Sequence, residues 1–408
     1  MKNLRNLNLL LIIIFISGNL AANGIKSIKD LGVSSKNSPE KNKELLQKAI
    51  DRMTDIGGEI FVEPTSEGYK IASGIILKKN VSLIGVHGPT GRGTKSEKNN
   101  FPTGSLFVIE DNENPFITVE SATQIRGIQF YYPLQSHTTA DKIIEYKPTI
   151  TLSKEQNVEG VTLSCLTFYG EYVAMDFNAT GKNICEQILF EHCYGYPLSG
   201  EFIKIDFCYD IPRILHCHIN PANMREFGKS FSKEIIDNVI SRKSFSYSIE
   251  HTDNAQMMDV FTFGVYGGIY LGNETYGQLT NFNLDCVKVG IYKKGSQSKN
   301  RNWQIAQGSI IANAGKDIEE IHPFIIEGCG HTAITNVEAF SGENGALTAI
   351  GLSKDYMLIK GDKKLTVSLF GCRMRNYTSD SPFTIENNEA RIFASGCLDK
   401  DENFFEMK

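Results

Sequence analysis

Three stretches decide the fold: VTLSCLTFYG (161–170), ILFEHCYGY (188–196) and RILHCHIN (213–220). Each carries a short alternation of apolar and polar residues around a cysteine, and Cys165, Cys193 and Cys217 follow one another at intervals of 28 and 24 residues. Cys372 and Cys397 repeat the arrangement 25 residues apart. Periods of this size mark solenoids or propellers. Similar β-rich runs ending in Gly, Asn or Asp recur at 81–85, 125–131, 202–207, 261–271, 279–291 and 365–370. Propeller blades would show hairpin turns and a blade signature. Here the connections are irregular and helical periodicity is nearly absent after residue 55, so the pattern favours a parallel β-helix. Ten to thirteen coils at ~4.8 Å each predict a rod on the order of 50–60 Å long.

The end of such a rod needs a cover, because an open sheet edge invites aggregation. Ser38-Pro39-Glu40 reads as a helix start, with Ser38 as N-cap and Pro39 in the first helical position. Leu45, Leu46, Ala49, Ile50 and Met53 then share one face. Gly57-Gly58 ends the helix, so residues 38–56 are expected to cap the rod, and GEIFVEP (58–64) opens the first strand.

Upstream, Lys2 and Arg5 precede the apolar run LLLIIIFI (9–16) and the small, polar exit SGNLAA (17–22). This is the order of a cleavable signal peptide, and its apolar core is too short for a membrane span. Residues 1–22 are therefore expected to be a leader, residues 23–408 one exported domain, and the location secreted or periplasmic. Length alone would suggest two domains, but a repeat architecture escapes that limit because each unit packs only on its neighbours. A net charge of −5 and a pI near 6.0 leave no electrostatic footprint for nucleic acid or an anionic membrane. Nine cysteines in an exported chain invite a disulfide reading. Their places at the ends of alternating apolar segments favour buried thiols instead. No CxxC spacing is present, so neither a metal nor a cofactor is expected.

The order IKDLGV (28–33), helix, GGEIFVEP (57–64), Gly68-Tyr69 and VSLIG (81–85) resembles the opening of the pectate-lyase superfamily domain. Rhamnogalacturonase-like enzymes and several phage tailspikes share that domain. The resemblance covers residues 26–90 and implies an all-β fold, a single-stranded right-handed parallel β-helix with an N-terminal capping α-helix. A second stretch, YDIPR (209–213) to HINP (218–221), looks like a segment of a bacterial branch of the superfamily, which implies carbohydrate work without naming a reaction. The N-T-D, D-D, G-H-G and R-I-K blocks of polygalacturonases on this fold are not reproduced. His251-Thr252-Asp253, Gly330-His331-Thr332 and Arg391-Ile392-Phe393 only echo them, so that mechanism is not carried over.

Glycoside hydrolysis needs two carboxyl groups, one to protonate the leaving oxygen and one to activate water or attack carbon. Alternation in RILHCHIN predicts Leu215, Cys217 and Ile219 inward and His216, His218 and Asn220 on the outer face. With Asp210 and Arg213 beside them, these form one candidate surface. The second is Glu250-His251-Thr252-Asp253-Asn254 with Asp259, where alternation lapses as it would in a loop at a cleft rim. Asp253, Asp210, His251 and Asp259 are the catalytic candidates; Arg213, His216, His218, Asn220, Glu201 and Asp206 are the substrate-binding ones. The bland alternatives are a structural turn pair for Asp210 and Arg213, a capped turn for His251 and Asp253, exposed histidines, and strand decoration for Asp176. His331, among small residues, suits a coil corner as well as a site. Residues 88–100 (GPTGRGTKSEKNN) lack the Walker spacing and read as a flap beside the cleft. Asn178, Asn273 and Asn376 begin glycosylation sequons, which matter only in a eukaryotic host.

The expectation is a polysaccharide-degrading enzyme, a glycoside hydrolase with paired carboxylates on the rod's flank. A lyase, a uronate epimerase and a non-catalytic glycan-binding rod stay open. So does a homo-oligomer, a trimer included.

Overall fold

The computed structural model describes residues 25–88, 103–224, 229–312, 318–339 and 352–407. The expected leader and nearly all of the expected flap at 88–100 lie outside these residues. Within them, short parallel strands stack layer on layer in three sheets.

A 22-stranded sheet contains two rows of strands. In the first row, Thr162–Ser164, Leu189–Glu191, Arg213–Leu215 and Ala255–Met258 pair in succession, with Ser164 opposite Glu191, Glu191 opposite Leu215 and Leu215 opposite Met258. In the second row, Thr167 lies opposite Tyr194, Tyr194 opposite His218 and His218 opposite Phe261. An 11-stranded sheet, from Ile75–Leu77 to Phe383–Ile385, forms the third side. At ~4.8 Å per strand its span is about 48 Å. A 3-stranded sheet of Val158–Glu159, Cys185–Glu186 and Cys208–Tyr209 stands ahead of the first row.

From the layer of Thr162–Ser164 onwards, the two rows are separated by one residue per layer in the left-handed region. Cys165, His192, His216, Asp259, Asn281, Gln307 and Asn336 all have φ between 51° and 55°, and each directly follows one of the in-register residues of the first row. His, Asp and Asn tolerate this conformation better than most side chains. The bend turns the chain through a corner, so inward positions on its two sides are out of phase with a continuous strand. Ile214 and Cys217 point into the core, each 1% exposed. The expectation that Leu215 faces inward is thereby corrected: Leu215 is half-buried.

The expected fold is corrected too. The bends cut each layer into separate strands, so the chain builds three sheets instead of one single-stranded right-handed helix. Long strands late in the chain add a closed ring of four parallel strands. Gly330–Ala339 pairs with both Leu365–Phe370 and Arg373–Met374, and both of these pair with Ala390–Leu398. The last strand, Phe404–Met407, runs antiparallel to Ala390–Leu398. There are also two α-helices among the described residues, not one.

Helix α1 (Pro39–Met53) is the expected one. Ser38 Oγ accepts the Lys41 N–H at 3.2 Å, and Leu46, Ala49, Ile50 and Met53 enter the core. Helix α2 (Lys233–Ser241) lies in the 25-residue connection between His218–Ile219 and Phe245–Ile249. Ser232 caps it, and Ile235 and Val239, four apart, are its buried pair. All nine cysteines are free thiols, six of them buried. Cys185 stands opposite Cys208 on neighbouring layers.

Candidate active site

Four of the eight histidines converge where the first row bends into the second. His192 and His216 occupy successive bend positions, and their rings stack at 4.7 Å and 22°. The stack has a carboxylate at each end. Asp259, the next bend residue, places Oδ2 2.8 Å from His216 Nδ1. Glu191 places Oε1 3.9 Å from His192 Nδ1. A carboxylate can only accept, so it holds the His216 proton on Nδ1 and leaves Nε2 as the nitrogen free to exchange protons.

Beside this chain runs the second row's ladder of rings. His87 covers Tyr194 at 6.1 Å, Tyr194 lies 6.4 Å from His218, and His218 stacks on Phe261 at 4.1 Å and 15°. Burial lowers the His87 pKa, with a smaller contribution from His192 in the same direction. Burial also raises the Tyr194 phenol. Above Phe261 the ladder continues through Asn283, Ser309 and Glu338, each opposite the last.

An open groove of about 640 Å³ follows this ladder from His218 and Asp259 to Asn336 and Glu338. It crosses five layers, a length of ~19 Å at ~4.8 Å per step. Its far end is tied by ion pairs: Arg373 Nη1 and Arg375 Nη1 lie 3.3 and 3.0 Å from Glu338 Oε1. The groove thus offers rings for stacking, amides for hydrogen bonding and a carboxylate–imidazole chain at one end.

Of the residues singled out in the sequence, His216, His218 and Asp259 meet here. The others lie elsewhere. Asp210 and Asp253 precede the first row, where Gln187 Nε2 donates to Asp210 and the Ile211 N–H reaches Asp253 Oδ1 at 3.5 Å. The six residues from Asp253 to Asp259 span ~20 Å of extended chain, so the candidate that joined Glu250–Asn254 to Asp259 is not one site. His251 Nδ1 lies 2.8 Å from Asp206 Oδ1, and its ring stacks on Phe207 at 4.4 Å. Arg213 Nη1 donates to the Ile211 carbonyl at 3.2 Å, Glu201 pairs with Lys204 at 3.3 Å, and Asn220, 5% exposed, accepts from Asn223 Nδ2 at 3.0 Å. These last three contacts knit local turns. Asp176 accepts the Asn178 N–H at 3.1 Å, and His331 Nε2 lies 2.9 Å from Ser368 Oγ.

Glu191, His192, Tyr194 and His87 were missed. The signal lay in EHCY (191–194) and LHCH (215–218), a His-Cys-ring repeat 24 residues apart. Among the described residues no three His, Cys, Asp or Glu side chains are grouped as a metal site would need.

No protein-family model matches the sequence, and no curated protein matches it either. Solved structures do. DFA-IIIase from Arthrobacter chlorophenolicus A6 has a TM-score of 0.55 and 10% identity, covering 93% of this chain and 96% of that one. The same enzyme without its lid, in complex with GF2, gives 0.53 and 11%, over 94% and 95%. Another structure of that enzyme in complex with GF2 gives 0.51 and 10%, over 94% and 86%. At such identities the likeness is one of fold.

Proposed function

We propose that this chain is a glycan-acting enzyme that holds a saccharide along the second-row groove and reacts with it at the Glu191–His192–His216–Asp259 chain. The observation that carries the proposal is the pair of carboxylates joined by two stacked imidazoles at the head of a ring-lined groove. Glu191 and Asp259 lie two layers apart, ~9.6 Å along the rod. This is close to the roughly 6.5–9.5 Å that leaves room for a water between acid and base in inverting glycosidases. In that reading one carboxylic acid protonates the leaving glycosidic oxygen. The other takes a proton from the water that attacks the anomeric carbon. His192 and His216 are positioning residues that set the charge and orientation of the two carboxyls. The hydrolase expected from the sequence therefore moves from Asp210 and Asp253 to Glu191 and Asp259. That a fold neighbour is known in complex with the saccharide GF2 is in keeping with a saccharide substrate. Export follows from the leader-like residues 1–22 and belongs to the same proposal.

The test is incubation with a panel of polysaccharides, read by new reducing ends for hydrolysis and by ultraviolet-absorbing unsaturated ends for elimination. Glu191→Gln and Asp259→Asn are each expected to lower hydrolysis by ~10²–10⁴-fold, the usual size of one acid–base contribution. His216→Asn keeps a residue suited to the bend and is expected to shift the pH–rate profile. Full activity in both carboxylate variants would overturn the assignment, and unsaturated products would replace hydrolysis by elimination.

A further inference from the structure

The groove is closed at one end, and the reactive chain sits at that end. The ladder that is open from His218 onwards is covered below it. Gln129 and Thr167 hold the equivalent outward positions in the two layers beneath Tyr194, and both are 0% exposed. The cover comes from the connection between Val81–Gly85 and Ser105–Val108. Gln129 Nε2 donates to the Thr103 carbonyl at 2.8 Å. The Ser105 N–H donates to the Val86 carbonyl at 2.9 Å. A Cβ built on Gly104 would fall 2.7 Å from Gly88 N, so the two limbs of the connection are in close contact. His87 then reaches across to lie on Tyr194. Tyr194 is in the same layer as Glu191 and His192. Beyond Asp259, ~14 Å of groove runs on to Glu338 without such a cover among the described residues.

Resting on the glycan reading above, we infer that the enzyme acts at chain ends: the wall formed by His87, Gly88, Thr103 and Gln129 stops the saccharide within one or two units of the reacting bond. The open arm takes the remainder of the chain. A sugar unit has about the length of one layer step, ~4.8 Å. Two layers separate the wall at Tyr194 from Asp259 and three separate Asp259 from Glu338, so there is room for one or two units on the closed side and about three on the open side. Specificity for an end is thus set by backbone and by His87 and Gln129, outside the acid–base group itself.

The experiment uses the full chain with hexasaccharides of homogalacturonan, inulin and xylan, each plain or carrying a bulky fluorophore at one end or the other. For the hexasaccharide that is processed, a tag at one end is expected to reduce turnover at least tenfold, while a tag at the other end is tolerated. The first products should be one or two units long. On the parent polymer, reducing ends should accumulate with little early loss of viscosity. His87→Ala opens the wall above Tyr194 and is expected to lengthen the released fragment by one unit. Equal turnover with either tag, together with internal cuts among the first products, would overturn end-action while leaving the glycan reading intact. If none of the three hexasaccharides or their polymers is bound or altered, the glycan reading falls and end-action falls with it.

Discussion

Glu171 is the group whose titration should be most visible in the stability of this protein. It is 0% exposed, at the corner after Thr167–Tyr169. Its Oε1 accepts the Tyr196 N–H at 2.8 Å, whereas Oε2 is buried with no hydrogen-bond partner. Burial pushes its pKa up from 4.5 to about 8, with the backbone N–H groups of Glu171 and Tyr196 pulling weakly the other way. At 1.36 kcal/mol per pKa unit, ionising it in the folded state costs on the order of 5 kcal/mol. The sign follows from proton binding. The folded state binds this proton more tightly, so its stabilising contribution is complete below about pH 4.5. It falls as pH rises and is gone above about pH 8. Glu171→Gln keeps the shape of the protonated acid and removes the titration. In urea unfolding at pH 5 the two proteins should have similar midpoints. At pH 9 the variant should be the more stable by up to on the order of 5 kcal/mol. Parallel pH dependence of the two proteins would refute the reasoning, because it would mean that Glu171 does not carry a displaced proton.

Asn42 is 0% exposed in α1 and bonds four partners: it donates to the carbonyls of Ser34 and Lys70 and accepts from the Ser34 N–H and Asn37 Nδ2. Asn42→Ala should destabilise the protein by about 2–4 kcal/mol, read from the urea midpoint, since buried groups lose their partners; a change under about 0.5 kcal/mol would contradict the role. An aromatic disulfide reagent should reach at most Cys165, Cys286 and Cys329 in the native protein, and all nine thiols once it is unfolded. Cys286 should be the slowest of the three, because burial and Asp285 push its pKa to about 12. Finding fewer than nine thiols after unfolding without reductant would show that neighbours such as Cys185 and Cys208 had paired.

The stacking and the first helix were legible because they rest on patterns that need no tertiary context: a repeat of 24–28 residues, and Ser38-Pro39 before an apolar stripe. The phase was harder to read. Counting from cysteine to cysteine places Cys165 with Cys193 and Cys217, yet the structure puts Cys165 in the bend column with His192 and His216. Leu166 is the residue that shares the inward position of Cys193. One left-handed residue shifts the alternation by one place, and nothing in an apolar–polar count announces it. The same shift hid the site. Reading 213–220 as one strand made Leu215 a core residue and left Glu191 and His192 unexamined, although EHCY carries the motif as clearly as LHCH. Asp253 looked close to Asp259 in sequence, but the length of the strand Ala255–Met258 separates turns that a linear reading merges. Helix α2 was readable from Ser232 and the Ile235–Val239 pair, and was masked by the expectation of uninterrupted strands.

The column of left-handed residues has an evolutionary consequence. Because most layers are hinged by one residue at one address, the scaffold tolerates long detours between hinges, as the connections at 132–149 and 220–244 demonstrate, and in one layer the connection at 86–104 replaces the hinge itself. Side chains at the hinge itself project to the rim and are exchangeable among Cys, His, Asp, Asn, Gln and Gly without disturbing the pile. Descent with duplication could therefore slide a reactive group up or down the rod by whole storeys, and replace the wall at one end, while the interior sequence stays the same.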